Sequence, residues 1–292
     1  MIYVKKGEQK FPFSRGILAR SISRSGLSIS DSYEIVREIK SELREGNVKE
    51  IRSEELKDIV CRKLLEKGRR EEERYYRVRR EIKYLDEPIF VLVGGGPGVG
   101  KSSVSIEIGH RLGISRVIGT DTIREIMRAI LPENLIPTLH ASTFLAKNKL
   151  RAPGVSNRLI HAFEEQTRLV CEGISAVMRR GQREGLSMIL DGVHMVPGFV
   201  EDSLDTDPKY FFRYVIDVRD REQHIQHFYA REESSRRSPK RYVNEIEDIR
   251  EIQGYILGMA EREGVKIIEN KNYEETLEII LEDIMNRLEE EV

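Results

Sequence analysis

The chain has 292 residues, of which 39% are hydrophobic and 34% charged, and its formal net charge is −1. This length suffices for two domains or one large one, and so small a net charge excludes the strongly basic footprint of a nucleic-acid-binding protein. Because no apolar run reaches the roughly 20 residues of a membrane helix and the first residues lack a signal-peptide pattern, we expect a cytoplasmic protein without nucleic-acid or membrane partners.

The first segment is expected to be rich in helices, with a short β-hairpin at its start. Residues 2–4 and 11–13 are apolar and flank a polar turn at residues 6–9, which predicts the hairpin. Pro88 breaks the last helical pattern just before an apolar strand, so we predict one domain at residues 1–87 and a second at residues 88–292. Between the hairpin and Pro88 the helices are expected to begin or be capped at Ser14, Ser30 or Asp31, Ser53 and Arg69.

Three stretches of this first segment match a known pattern: Val4-Lys5-Lys6-Gly7, Pro12-Phe13-Ser14-Arg15 with Leu18, and the helix at residues 34–43. On these residues the segment resembles an ATP-cone domain, a small regulatory nucleotide-binding module found ahead of several enzymes. The turn at residues 5–7 lacks the acidic residue that the family usually places before the glycine. Nucleotide binding by this segment and a helical cap used for packing or dimerisation therefore both stay open.

Residues 95–102 form a complete Walker A loop, with an apolar run before it and a helical pattern after it. In such a loop the backbone N–H groups surround a phosphate, the lysine reaches the β- and γ-phosphates, and the final hydroxyl holds Mg²⁺. The sequence therefore predicts ATP and Mg²⁺ as cofactors, with Ser102 as a metal ligand. The expected nucleotide-binding residues here are Gly95, Gly96, Pro97, Gly98, Val99, Gly100, Lys101, Ser102 and Ser103.

The second segment alternates strands and helices, which is typical of a parallel sheet covered on both faces. We predict an α/β fold: a P-loop kinase core with a five-stranded, mainly parallel sheet, preceded by the small α-rich ATP-cone-like domain. The expected strands are residues 89–93, 116–119, 187–190, 211–218 and 265–268.

Asp121, Arg124 and Arg128 follow the second of these strands at helical spacing, so they share one face of a helix. Ligands of open α/β sheets bind at the carboxyl ends of the strands, where Asp121 is expected to lie. Guanidinium groups grip phosphate or carboxylate, and a carboxylate can receive a hydroxyl proton. We predict an acceptor-binding set at this face, although a capped helix with a solvated basic face fits the same residues.

Asp191 ends a hydrophobic strand and has the Walker B pattern, so it is predicted to orient Mg²⁺ together with Ser102. His194 follows near the same edge of the sheet. It is a candidate substrate contact, and a hydrogen-bonded structural histidine is the alternative.

A polar, arginine-rich stretch at residues 231–241 lies between the fourth strand and the last helices. Small kinases place a mobile lid there, whose arginines close on the transferring phosphoryl group. An exposed basic loop is the alternative. The lid candidates are Arg231, Arg236, Arg237 and Arg241.

Together with the Walker loop, the segments at residues 120–125, 191–198 and 241–253 resemble archaeal 2-phosphoglycerate kinases over essentially the whole chain. The resemblance implies a phosphotransferase with an alcohol acceptor, which moves the γ-phosphoryl group of ATP to 2-phosphoglycerate and gives 2,3-diphosphoglycerate. It implies that Asp121 orients or deprotonates the acceptor hydroxyl, and that Asn270 contacts adenine unless it is an ordinary turn residue. The family usually has Glu where this chain has Asp191.

Two other functions stay open at this point. The core could phosphorylate another small hydroxylated anion or a nucleoside, or the chain could be a nucleotide sensor without catalysis. The expected partner is a small-molecule substrate, and the sequence leaves homo-oligomerisation open.

Overall fold

The structure is a computed structural model that describes residues 1–204, 207–230 and 238–291. The chain divides into two compact units. The first contains Met1–Asp86 with His110–Gly113 and Asp283–Val292, and the second contains Glu87–Gly109 and Ile114–Glu282. A single domain boundary after residue 87 remains our proposal.

The first unit combines a small sheet with a helical layer. Strands β1 (Tyr3–Lys6) and β2 (Gln9–Pro12) form the predicted antiparallel hairpin. A third strand, β3 (Glu50–Arg52), pairs in parallel with β1. It was not predicted, because it is only three residues long with one buried apolar side chain. The four helices described here are α1 (Arg15–Ser23), α2 (Ile29–Glu45), α3 (Ser53–Glu66) and α4 (Arg70–Glu81).

The helix starts agree with the sequence at Ser14, Ser53 and Arg69 and differ at the start of α2. Ser14 caps α1, as predicted, and its side chain accepts from the backbone N–H of Ile17. The cap predicted at Ser30 or Asp31 is wrong, because Ser28 caps α2 and accepts from the N–H of Asp31 at 3.0 Å. Ser and Asp are both favoured in the first turn, so composition alone does not separate the cap from its neighbours.

The second unit is an α/β layer structure. Among the described residues its sheet has five strands in the order β5-β6-β4-β7-β8, and all the ladders are parallel. The strands are β4 (Ile89–Gly94), β5 (Val117–Gly119), β6 (Met188–Gly192), β7 (Tyr210–Asp217) and β8 (Lys266–Glu269), each within two residues of its prediction. The helices that follow in the chain are α5 (Lys101–Leu112), α6 (Thr120–Ile130), α7 (Arg158–Glu184), α8 (Arg221–Ala230), α9 (Pro239–Val243), α10 (Ile246–Arg262) and α11 (Tyr273–Glu289), and the last turns of α5 and α11 belong to the first unit.

The register of the sheet brings several candidate site residues to the same edge. Every residue of the central strand β4 is buried, as expected for a strand covered on both faces. Val93 on β4, Asp191 on β6 and Gly119 on β5 lie opposite one another. The Walker loop, Asp191 and the start of α6 therefore meet at the carboxyl edge of the sheet. Within the described ranges, none of the helices combines the length and hydrophobicity needed to cross a lipid bilayer.

Candidate active site

The Walker loop runs from the end of β4 to the start of α5, and helix α8 packs against it. Gly98 has φ +83°, and a Cβ atom on it would lie 2.6 Å from the ring of Phe228, so this position requires glycine. His224 donates from Nε2 to the carbonyl of Pro97 at 2.7 Å, and His227 donates from Nδ1 to the carbonyl of Gly98 at 2.9 Å. Carbonyl oxygens only accept, so these contacts determine which ring nitrogen of each histidine carries a proton.

Two further side chains hold the loop from outside the cleft. Gln253 accepts from the N–H of Gly96 and donates to Asp217 Oδ1 at 3.0 Å. Asn270 donates from Nδ2 to the carbonyl of Val99 at 2.9 Å and is buried. The predicted nucleotide contact Asn270 thus lies beneath the loop and contacts its backbone. Gln253 was not assigned from the sequence, because an isolated glutamine on a helix carries no local signal.

The polar end of the loop brings together a cation, a hydroxyl and a carboxylate. Lys101 is buried and donates from Nζ to the carbonyl of Gly96 at 2.6 Å, so its ammonium lies against the loop. Ser102 donates from Oγ to Asp191 Oδ2 at 2.6 Å. A pair of hard oxygen donors fits Mg²⁺, which proteins usually hold with one or two carboxylates plus substrate phosphates. The described residues contain no cluster of three or more His, Cys, Asp or Glu side chains that could hold a metal ion.

Helix α6 places carboxylates and guanidiniums alternately beside this edge. Arg124 is 90% buried in its side chain, and its Nη2 lies 3.5 Å from both Asp121 Oδ1 and Glu125 Oε1. Arg128 donates to Glu125 Oε1 at 2.6 Å. The side chain of Asp121 is half exposed. The face predicted from the sequence spacing therefore exists, and Glu125 is a fourth charged member that the prediction omitted.

Residues 137–149 form the wall next to α6, and we call α6 with these residues the α6 side of the cleft. Arg124 donates from Nη1 to the carbonyl of Ala141 in this wall. Arg241, from α9, donates to Ser142 Oγ at 2.6 Å, and its guanidinium lies 5.9 Å from the ring centre of Phe144. The ring of Tyr242 lies 5.5 Å from that of Phe144. Arg241 is thus the one lid candidate that the described ranges include.

The Walker loop, the α6 side and Arg241 line one cleft of about 1010 Å³, which is large enough for a nucleotide together with a second small molecule. The predicted site residues that line it are Pro97, Gly98, Gly100, Lys101, Ser102, Ser103, Asp121, Arg124, Arg128, Asp191 and the lid candidate Arg241. Gly95, Gly96, Val99, His194 and Asn270 are not in the lining. Arg231, Arg236 and Arg237 lie outside the described residues.

His194 is fully buried behind the α6 side of the cleft. Its Nδ1 lies 3.0 Å from Thr120 Oγ1, and its Nε2 lies 3.0 Å from Gln166 Oε1. Burial lowers the pKa of His194 to about 3, so the ring is neutral at physiological pH. The structure therefore places this predicted substrate contact in a hydrogen-bonded position behind the lining.

Comparison with known proteins identifies the family of the chain. A 2-phosphoglycerate kinase from Thermococcus kodakarensis is 44% identical over 292 residues, covering 99% of both chains. The chain belongs to the 2-phosphoglycerate kinase family. Another member, from Pyrococcus furiosus, is 42% identical over 97% of this chain and 92% of its own. The resemblance seen in the sequence is confirmed.

Two other matches concern parts of the chain. Residues 1–85 match the ATP cone domain family, which confirms that resemblance for the first segment. A solved shikimate kinase from Acinetobacter baumannii is 14% identical with a TM-score of 0.43, and the match covers 72% of this chain and 98% of that one. The α/β fold with a Walker loop on a five-stranded parallel sheet, as the described residues show it, agrees with the fold predicted for the kinase family.

Proposed function

We propose that the chain transfers the γ-phosphoryl group of ATP to the free hydroxyl of 2-phosphoglycerate, giving 2,3-diphosphoglycerate and ADP. The observation that carries the proposal is that the Walker loop and the arginine pair of α6 line one cleft. Support comes also from relatives at 44% and 42% identity that are named 2-phosphoglycerate kinase. We place the reaction in residues 88–292.

The donor half of the cleft is assigned to the Walker loop. Backbone N–H groups of the loop bind the phosphates, and Lys101 neutralises charge on the β- and γ-phosphates. Because His224, His227, Gln253 and Asn270 already hold the loop, little reorganisation is needed when ATP binds. Ser102 and Asp191 would hold Mg²⁺, which offsets the negative charge of the phosphates.

The acceptor half is assigned to the α6 side of the cleft. 2-Phosphoglycerate carries a phosphate, a carboxylate and a free hydroxyl, and Arg124 and Arg128 are assigned to its anionic groups. Asp121 orients the hydroxyl and takes its proton as the oxygen forms a bond to the γ-phosphorus. The bond between that phosphorus and the β–γ bridging oxygen breaks, and the bridging oxygen leaves with ADP. The proton then passes from Asp121 to solvent.

The test of this proposal is ADP release that depends on the acceptor. The purified chain is given ATP and Mg²⁺ with 2-phosphoglycerate, 3-phosphoglycerate, glycerate, shikimate or a nucleoside in parallel. We expect turnover with 2-phosphoglycerate well above that with the others. Turnover with another compound would reassign the acceptor, and tight ATP binding without any turnover would make the chain a nucleotide sensor.

Arg124 provides a sharper test of the acceptor half. In Arg124→Lys the charge is kept and the planar fork is lost, so we expect the KM for 2-phosphoglycerate to rise about tenfold or more. The KM for ATP should change by less than about twofold. Steady-state kinetics with each substrate varied in turn measure both values. Equal changes in the two KM values would contradict the role assigned to Arg124.

A further inference from the structure

A chain of buried side chains behind the α6 side of the cleft begins at Gln166 on α7. Gln166 is fully buried and donates from Nε2 to the carbonyls of Thr138 at 2.6 Å and Ala141 at 3.1 Å. Carbonyls only accept, so this end of the amide must be the NH₂ group. The amide oxygen Oε1 is then left facing His194 Nε2 at 3.0 Å. Because Oε1 only accepts, Nε2 of His194 must carry a proton.

The other ring nitrogen of His194 continues the chain to α6. Thr120 Oγ1 lies 3.0 Å from Nδ1 of His194. Full burial lowers the pKa of His194 and keeps the ring neutral. The negative charge of Asp121 raises this pKa, while the positive charges of Arg124 and Lys101 lower it further. A neutral ring protonated at Nε2 has a bare Nδ1, so the hydroxyl of Thr120 must donate to it. The direction of every hydrogen bond in the chain is thereby determined.

Two contacts with neighbouring residues hold this chain of side chains in place. Gly192 lets Thr120 approach, since a Cβ atom on Gly192 would lie 1.8 Å from Thr120 Oγ1. The thiol of Cys171 lies 3.6 Å from the carbonyl oxygen of His194 and donates to it. Because the side chains of this chain are buried, removing a donor or acceptor leaves its neighbour without a hydrogen-bond partner.

Both ends of the chain reach groups that the proposed function assigns to the phosphoryl acceptor. Ala141, whose carbonyl accepts from Gln166, also accepts from Nη1 of Arg124. Thr120 is the first residue of α6 and directly precedes Asp121.

We propose that His194 and Gln166 are positioning residues for the phosphoryl acceptor. Through directed hydrogen bonds, Gln166 fixes the Ala141 carbonyl that orients Arg124, and His194 fixes Thr120 at the start of α6, next to Asp121. The inference rests on the proposed function, and it extends that function to residues that do not line the cleft. Replacing a member of the chain should weaken acceptor binding and leave ATP binding unchanged, because the Walker loop is held by other side chains.

The kinetic test uses variants that keep the side-chain shape. Gln166→Glu removes both N–H donors, and Thr120→Val removes the hydroxyl. Each should raise the KM for 2-phosphoglycerate about tenfold, with the KM for ATP within about twofold of the wild type. Thr120→Ser restores the hydroxyl and should return the acceptor KM to near the wild-type value. An unchanged acceptor KM in both Gln166→Glu and Thr120→Val would overturn the proposal.

Thr167→Val is the matched control. Thr167 follows Gln166 on α7 and is equally buried, and its hydroxyl has no hydrogen-bond partner among the described residues. This variant should leave both KM values unchanged. If Thr167→Val raises the acceptor KM as much as Thr120→Val does, the effect comes from general loosening of the core and the proposal fails.

A second measurement does not depend on turnover. In ¹⁵N-histidine-labelled wild-type protein, the His194 signals are identified by their loss in His194→Gln. We expect one protonated nitrogen, Nε2, and one bare nitrogen, Nδ1, near neutral pH. The opposite tautomer or a doubly protonated ring would overturn the inference. Absence of turnover with 2-phosphoglycerate would instead defeat the proposed function while the ring nitrogens are still observed.

Discussion

The arginines of the cleft differ in what their guanidinium groups contact. Arg124 and Arg128 lie within 3.5 Å and 2.6 Å of Glu125, so each has a carboxylate nearby. Arg241 contacts a hydroxyl, Ser142 Oγ, and the ring of Phe144, and within the described ranges it forms no ion pair. Arg241 lines the same cleft as Arg124 and Arg128. We therefore expect its guanidinium to act together with theirs on the anionic groups of the acceptor.

We expect Arg241→Gln to raise the KM for 2-phosphoglycerate about tenfold, because a guanidinium bound to phosphate or carboxylate is among the strong polar contacts. Arg241→Lys should give an intermediate KM, since it keeps the charge and loses the fork. Arg183→Gln, an exposed arginine of α7 that does not line the cleft, is the control. A loss confined to kcat would instead assign Arg241 to the transferring phosphoryl group.

A short motif predicts where single residues lie, because the Walker patterns tie each of them to a position in a strand or loop. Lys101, Ser102 and Asp191 all line the cleft, and the roles assigned to them stay predictions. His194 was chosen for its place at the sheet edge and Asn270 for the resemblance to kinases, yet neither lines the cleft. A position near a strand end does not determine whether a side chain faces the cleft or lies behind its lining, because that depends on packing against elements distant in the sequence.

At the scale of secondary-structure elements, α8 forms much of the support of the Walker loop. His224 and His227 are three residues apart on this helix and donate to adjacent carbonyls of the loop. Phe228 stacks on His224 on one side, with ring centres 5.2 Å apart, and on Tyr242 of α9 on the other, at 4.9 Å. The helix therefore joins the loop to α9 through continuous ring contacts.

His227→Ala removes a donor to the loop, so we expect the KM for ATP to rise about threefold to tenfold. The KM for 2-phosphoglycerate should stay within about twofold of the wild type, the reverse of the pattern expected for Gln166→Glu. His227→Asn should recover part of the effect, because its amide can donate from a similar place. Gln226→Ala, exposed on the same helix, is the control. A rise in both KM values would contradict a role confined to the loop.

The elements themselves were largely predictable because apolar periodicity is a local property. The five strands of the second unit, as far as the structure describes it, lie within two residues of their predictions. Strand β3 was missed because three residues between two helices carry no period, and its pairing with β1 is a long-range event. The cap of α2 was placed two or three residues late, since Ser28, Ser30 and Asp31 all suit a first turn.

At the scale of the whole molecule, the division into units does not follow chain order alone. Residues 283–292, with the buried side chains Ile284 and Leu288, belong to the same compact unit as residues 1–86. Arg74 pairs with Glu289 within this unit at 2.7 Å. The sequence shows only that α11 is amphipathic, and it does not say which core its final turns join. The domain boundary predicted after residue 87 therefore rests on motifs and linkers in the sequence and takes no account of how residues 283–292 pack.

The stability of the whole protein is expected to depend on pH through His194, the buried neutral histidine between Gln166 and Thr120. The pKa of His194 is lowered by burial from 6.5 to about 3. Between these two values the unfolded chain binds a proton that the folded protein does not bind. The free energy of unfolding attributable to this group is therefore fully present above about pH 6.5 and is lost progressively as the pH falls, by about 1.4 kcal/mol per pH unit.

Urea unfolding at several values between about pH 7 and pH 4.5 measures this slope. Other groups also titrate in that range, so the quantity compared is the difference between the wild type and His194→Gln, in which this proton is absent. We expect the variant to be less stable at neutral pH and to have a shallower slope, by about 1 kcal/mol per pH unit. Thr167→Val, which replaces a buried side chain without a titratable group on the same helix as Gln166, should keep the wild-type slope. Equal slopes for the wild type and His194→Gln would mean that His194 takes up its proton in the folded protein, in conflict with a bare Nδ1 that accepts from Thr120.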